Sequence, residues 1–239
     1  MLIRVLLFGV VKDFADSADQ VLEVPEGTTV ESLFAELVAR YPKLDGLAGT
    51  LAMARNQQFA VPGEQLADGD EIALLPPVSG GTGFVDGFMR YEETPEGHFF
   101  ALSRNTIDAN AIGRRILQGI DGALCTFEGV VRNNSKGRQT RYLDYDCYEG
   151  MALSIMAQIG KEVAASHSIS RIAMVHRLGR MEIGEASVVV IAASPHRGPS
   201  FAATLEGINR LKKLVPVWKK EFFVDGEVWV EGDWDDRIV

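Results

Sequence analysis

Glu71-Ile72-Ala73-Leu74-Leu75-Pro76-Pro77-Val78-Ser79-Gly80-Gly81 decides how this chain is read. An apolar strand runs into two prolines, and an adjacent pair of glycines follows. Asp68-Gly69-Asp70, just before it, is a tight turn that starts the strand sharply. The glycines stand mid-chain, because Thr82 continues from them. On spacing alone such a pair reads as a linker. The elements in front of it point elsewhere. Residues 2–11 are almost wholly apolar and read as a first, buried strand. Val21–Val24 offers a second strand, and Pro25-Glu26-Gly27 a turn. Thr28-Thr29-Val30-Glu31 fits a capping box with Thr28 at the cap and Glu31 reaching back. The helix that follows stacks Val30, Leu33, Phe34, Leu37 and Val38 on one stripe and ends near Tyr41-Pro42. Leu51–Ala54 and Gln58–Val61 are short strands around an Arg55-Asn56 turn. Strand, strand, helix, short strands, last strand, Gly-Gly: the order is that of a β-grasp domain over residues 1–81.

Bulk properties narrow the rest. At 239 residues the chain can hold two small domains. Its net charge of −9 is uneven. Residues 1–81 carry 5 Lys/Arg against 12 Asp/Glu, and residues 82–239 carry 19 against 21. An acidic front half disfavours nucleic acid as a partner. No apolar run approaches the roughly 18 residues of a membrane span, and the start lacks the basic region of a signal peptide. Two cysteines, Cys125 and Cys147, make neither a disulfide framework nor a metal cluster. The expectation is a cytoplasmic protein with no metal, no membrane and no nucleic acid.

Residues 82–96, with Gly83, Gly87 and Pro95, read as a linker, and residues 97–239 as a second, α+β domain. Its expected elements are a helix over about 108–117, strands at 123–131 and 142–148, and a polar turn at Asn133–Gly137. Met151, Ile155, Ile159 and Val163 repeat at helical spacing. Strands follow at 172–175 and 187–193. A helix opens near Pro199, carries a Phe201, Leu205, Ile208 and Leu211 stripe, and stops at Pro216. A hairpin around Asp225-Gly226 closes the chain.

Bases gather in four segments: Gly129-Val130-Val131-Arg132, His176-Arg177-Leu178-Gly179, His196-Arg197, and Leu211-Lys212 through Trp218-Lys219-Lys220-Glu221. Arg gives forked donors and Lys a compact charge, so together they suit a phosphate-bearing substrate. Lys212 follows Ile208 by four residues and borders the helix stripe, where partial burial would lower its pKa. Lys219 sits on a separate element beyond Pro216. His176 reads as structural, Phe127 as core, and Lys213 and Lys220 as a solvated face.

These motifs, with Phe127-Glu128, Tyr148-Glu149-Gly150-Met151-Ala152, Gly184-Glu185 and Ser194-Pro195, resemble those of molybdopterin synthase. Residues 1–81 are similar to its small, ubiquitin-like sulfur-carrier subunit, and residues from about 97 to its large catalytic subunit. Nearly the whole chain is covered, as in a natural fusion of the two. The resemblance implies a reaction in molybdenum cofactor biosynthesis. The small subunit carries sulfur as a thiocarboxylate on its final glycine, here Gly81. Sulfur passes in two rounds to cyclic pyranopterin monophosphate, giving the molybdopterin dithiolene. By the motif matches Lys212 and Lys219 would be catalytic, and Arg132, His196 and Arg197 would bind substrate. No metal or redox cofactor is implied. An ATP-dependent activating enzyme, a sulfur donor and homodimerisation through the large domain are.

A peptide-bonded Gly81 cannot become a thiocarboxylate. The fusion therefore implies cleavage between Gly81 and Thr82 by a processing protease. Two alternatives stand beside this reading. One is an uncleaved storage form. The other is a non-catalytic pterin- or nucleotide-binding module with a ubiquitin-like domain. One departure from the family pattern is the acidic Glu231-Gly232-Asp233, where some relatives carry a base.

Overall fold

The computed structural model describes residues 1–48, 51–76 and 88–230. Gly80, Gly81, Thr82 and the 231–233 segment lie outside them. In the first domain the elements are β1 (Leu2–Leu7), β2 (Asp19–Glu23), α1 (Val30–Arg40), β3 (Ala52–Arg55), β4 (Gln58–Phe59) and β5 (Glu71–Leu75). Their sheet runs β2-β1-β5-β3-β4, with β1 parallel to β5 and antiparallel to β2. That parallel central pair with α1 across one face is the β-grasp arrangement. Ile3, Val5 and Leu7 point inward on β1, and Val30, Leu33 and Leu37 of α1 close over them.

Two local expectations shift. The apolar run of 2–11 is not one strand: β1 stops at Leu7, and Gly9–Phe14 form a 3-10 helix. Gly9 adopts φ +53°, a conformation that a side chain disfavours. The cap of α1 is Thr29, not Thr28, and its reciprocal partner is Ser32 rather than Glu31. Adjacent threonines make that choice a matter of one residue, and the short Ser32 hydroxyl reaches the Thr29 N–H at 2.8 Å.

The second domain contains β6 (Arg90–Glu93), β7 (Phe99–Ser103), α2 (Ala109–Ile116), β8 (Ala123–Val130), β9 (Asn134–Ser135), β10 (Arg138–Cys147), α3 (Glu149–His167), β11 (Arg171–Arg177), β12 (Gly179–Glu182), β13 (Ala186–Ser194), α4 (Arg197–Leu214), β14 (Val217–Phe223) and β15 (Gly226–Val230). One sheet runs β6-β7-β11-β13-β8. Alternation along its strands sends Phe100, Met174 and Val190 into a core under α3 and α4, and Phe99, Val175 and Val189 into a second core with α2. The other sheet runs β12-β10-β14-β15, with β9 pairing on β10.

The expected 82–96 linker is too long by this structure. Arg90–Glu93 pair antiparallel with β7, so the second domain's sheet starts before residue 97. Met89 packs on the main core and Phe88 on the α2 side, which gives these apolar residues their role. Among the described residues no helix is long and apolar enough to cross a membrane.

The domains meet across an apolar contact. Ala54, Ala73 and Leu75 of the first sheet pack with Tyr148, Met151 and Trp218 of the second domain. Phe8 stacks on Trp218 with centroids 5.3 Å apart and planes 11° from parallel. The Trp218 indole N–H donates to the Pro76 carbonyl, and the Tyr148 hydroxyl donates to Glu71 at 2.5 Å. A Cβ on Gly9 would stand 2.9 Å from Pro76 and 3.3 Å from Trp218, so glycine is needed there for space as well as for φ.

Polar contacts ring this patch, and their polarity is mixed. Asp146 accepts the Gly9 N–H at 3.3 Å and pairs with Lys12. Here the acidic domain supplies the cation. Lys220 pairs with Asp13 at 3.7 Å in the opposite sense. Burial raises the Asp146 pKa, and Lys12 and the Gly9 N–H oppose that shift.

Candidate functional site: a cationic pocket beside the docked strand

Lys219 lies in the middle of β14, opposite Tyr145 of β10. Alternation turns Lys219 and Glu221 away from the face that holds Trp218. Lys219 is half-buried. Burial lowers its pKa; Glu221 opposes the shift, and Arg132, Lys212 and Lys136 reinforce it. These bases therefore gather around one ammonium group. Lys212, in the last turn of α4, holds its Nζ 6.0 Å from the centre of the Phe127 ring.

Arg132 follows β8. The buried residue before it, Val131, is pinned by its N–H to the Glu185 carbonyl and by its carbonyl to the Gly184 N–H. The Arg132 side chain is exposed. Under this pocket Tyr145 stands 5.3 Å from the His176 ring. His176 is buried, with Nδ1 2.8 Å from the Arg177 carbonyl, and burial pushes its pKa down to about 4. It is a neutral structural group, as its sequence context suggests.

Lys212, Lys219 and Arg132 thus come together, but His196 and Arg197 do not join them in one chain. His196 caps the start of α4 and Arg197 is its first residue, while Lys212 lies fifteen residues on. At 1.5 Å per residue the helix separates them by about 22 Å. His196 places no side-chain cap on the helix, so the open N–H groups, Arg197 and the imidazole make a second anion-favouring corner.

Two further expectations change. Phe201 and Leu205 do not line the buried side of α4: they are 63% and 62% exposed. The packed side is Ser200, Ala203, Thr204, Gly207, Ile208 and Leu211, whose small residues let α4 approach the sheet closely. Lys212 is exposed rather than partly buried, whereas Lys219 is half-buried and burial lowers its pKa. Of the cysteines, Cys147 is buried and Cys125 partly so. Phe127 is half-buried against the main core, with Lys212 over its ring. Sequence reasoning passed over Lys136, which lies in the turn read as merely polar.

Comparison with known proteins fits this layout. The ThiS family matches residues 5–81 and the MoaE protein family matches residues 102–214 of the same chain. A molybdopterin synthase catalytic subunit from Halalkalibacterium halodurans is 40% identical over 131 residues, which span 55% of this chain and 84% of that protein. The chain belongs to the molybdopterin synthase catalytic subunit family. The Bacillus subtilis catalytic subunit is 39% identical over 131 residues, covering 55% of this chain and 83% of its own length. The solved molybdopterin synthase from Staphylococcus aureus superposes with a TM-score of 0.52 at 34% identity, over 54% of this chain and 94% of that one. The family is one of sulfurtransferase-type enzymes of molybdenum cofactor biosynthesis. In this member a ThiS-type β-grasp domain precedes the catalytic domain in one polypeptide.

Proposed function

We propose that this chain makes the molybdopterin dithiolene by passing sulfur from a Gly81 thiocarboxylate to cyclic pyranopterin monophosphate. The observation that carries the reading is the bond from Trp218 to the Pro76 carbonyl. It fixes the exit of the last β-grasp strand one residue from Lys219 in the β14 sequence. Gly81 is five residues beyond Pro76, and an extended chain of that length reaches at most about 17 Å. The sulfur-bearing carboxyl group is then within range of the lysine pocket.

Lys219 and Lys212 are the proton-handling pair in this reading. Burial lowers the Lys219 pKa, which eases the release of its proton. Arg132 faces the substrate phosphate. His196 and Arg197, about 22 Å away along α4, complete the site from a second copy of the chain. The exposed Phe201 and Leu205 beside them suit a homodimer through the large domain. No metal or redox cofactor enters this scheme. Each transfer leaves Gly81 as a carboxylate, so an ATP-dependent activating enzyme and a sulfur donor must reload it.

The chemistry needs a free Gly81 carboxyl group, hence cleavage between Gly81 and Thr82 by a processing protease. The apolar domain contact would hold the severed domain in place. Intact-mass spectrometry on protein isolated from its own host tests this. The expected species is a fragment ending at Gly81, partly with sulfur in place of one carboxyl oxygen. Full sulfur transfer by a chain proven uncut at that bond would overturn the cleavage step. An uncut chain without activity would instead favour the storage form.

A further inference from the structure

The hairpin β9–β10 turns through two residues, Lys136 and Gly137, with Ser135 paired to Arg138. Both turn residues have positive φ, +49° and +81°, as the tight I′ hairpin loop requires. Asn and Gly suit that geometry, whereas a lysine there costs of order 1 kcal/mol. A residue held against its backbone preference points to a use for its side chain.

The base of the hairpin is fastened to β14. Arg138 lies 3.8 Å above the Phe223 ring and bonds Asp225 at 2.8 Å. The tip is therefore set relative to the strand that carries Lys219. Lys136 is exposed yet close enough to disfavour the charge on Lys219. Arg138 is paired with Asp225 and Arg177 with Glu185. Among the described residues Arg132, Lys136 and Lys212 form no ion pair with a carboxylate. Three accessible, uncompensated cations around a half-buried fourth make a site that favours a dianion.

We propose that Lys136 is a further substrate-binding residue, meeting the substrate's phosphate from the hairpin tip. This rests on the function proposed above and extends its binding set.

Lys136→Asn separates the two roles of the residue, because asparagine suits the turn while removing the charge. We expect KM for cyclic pyranopterin monophosphate to rise about tenfold, with kcat little changed and thermal stability equal or higher. Lys136→Arg should restore most of the affinity. The pH profile should move as well, since losing a neighbouring cation raises the Lys219 pKa. Inorganic phosphate, titrated into the full-length chain by calorimetry, is the second probe, and the variant should bind it more weakly. Unchanged KM and unchanged phosphate affinity in Lys136→Asn would overturn the proposal while leaving an active wild type explained. A wild type that ignores the pterin, with phosphate binding still lost in the variant, would overturn the proposed function and keep Lys136 as an anion-binding residue.

Discussion

Strand β14 presents two surfaces one residue apart. Trp218 and Lys220 face the β-grasp domain, where Trp218 is 1% exposed between Phe8 and Pro76. Lys219 and Glu221 face the cationic pocket. The first surface is aromatic and closed by packing, and the second is charged. The pleat makes them neighbours: a two-residue period puts the docking contact and the cationic site at alternate positions of one strand. Docking the β-grasp domain therefore sets Pro76, the end of its last described strand, against Trp218, the residue before Lys219. Mutations on the two faces should separate cleanly.

The largest effect is expected on the pocket face. Lys219→Ala should lower sulfur transfer by about 10²–10⁴, the usual span for a lost acid–base group, and leave the β-grasp domain docked. A sulfur-transfer assay read beside hydrogen exchange at the domain contact checks both halves. Arg197→Ala should also be impaired. If the α4 start serves a neighbouring chain, mixing the two inactive variants restores about one quarter of the sites, through mixed dimers. No recovery on mixing would place the whole site within one chain.

The docking face should respond next. Trp218→Ala removes a buried indole, its stack on Phe8 and its bond to Pro76. Such truncations cost about 3–5 kcal/mol. The expected outcome is a β-grasp domain that no longer protects Tyr148 and Met151 from exchange, on a catalytic domain that keeps its far-ultraviolet dichroism. Activity should fall through loss of docking and recover in part when excess carrier domain is supplied. Continued protection of Tyr148 would mean that the two faces are less separable than the strand suggests.

Much of this was legible beforehand. The β-grasp order follows from local signals that agree with one another: the Asp68-Gly69-Asp70 turn, a capped amphipathic helix and the last apolar strand. Lys212, Lys219 and Arg132 were legible as members of base-rich segments, but only the fold brings those segments together. The separation of His196 from Lys212 was in principle legible too, since a helix running from Pro199 to Pro216 is a rigid rod of known rise. The face of α4 was not. A stripe of Phe201 and Leu205 shows that one side is apolar, but not that Ala203 and Gly207 would be chosen for close approach to the sheet. β12 escaped because Gly179–Glu182 is short and half polar, and owes its pairing to β10. Lys136 escaped because a turn's polarity does not reveal which way its tip leans.

A smaller effect lies beneath the pocket face. His176 is buried neutral, with its pKa at about 4 against 6.5 for the free side chain. Between those values the unfolded chain binds more protons at this site than the folded one. Stability contributed by neutral His176 is thus present above about pH 6.5 and lost as pH falls through 4. The loss should reach about 1.4 kcal/mol per pH unit, or about 3 kcal/mol in all. His98 shifts in the same direction by burial, so the comparison must be made between chains. In urea unfolding, wild type should lose more stability than His176→Gln between neutral pH and about pH 4. Hydrogen exchange should locate the acid-induced opening at Tyr145 and β11, under Lys219, before the Trp218 contact loosens. Equal pH slopes in the two chains would mean that His176 takes up its proton without strain, and that the pocket face is softer than its packing implies.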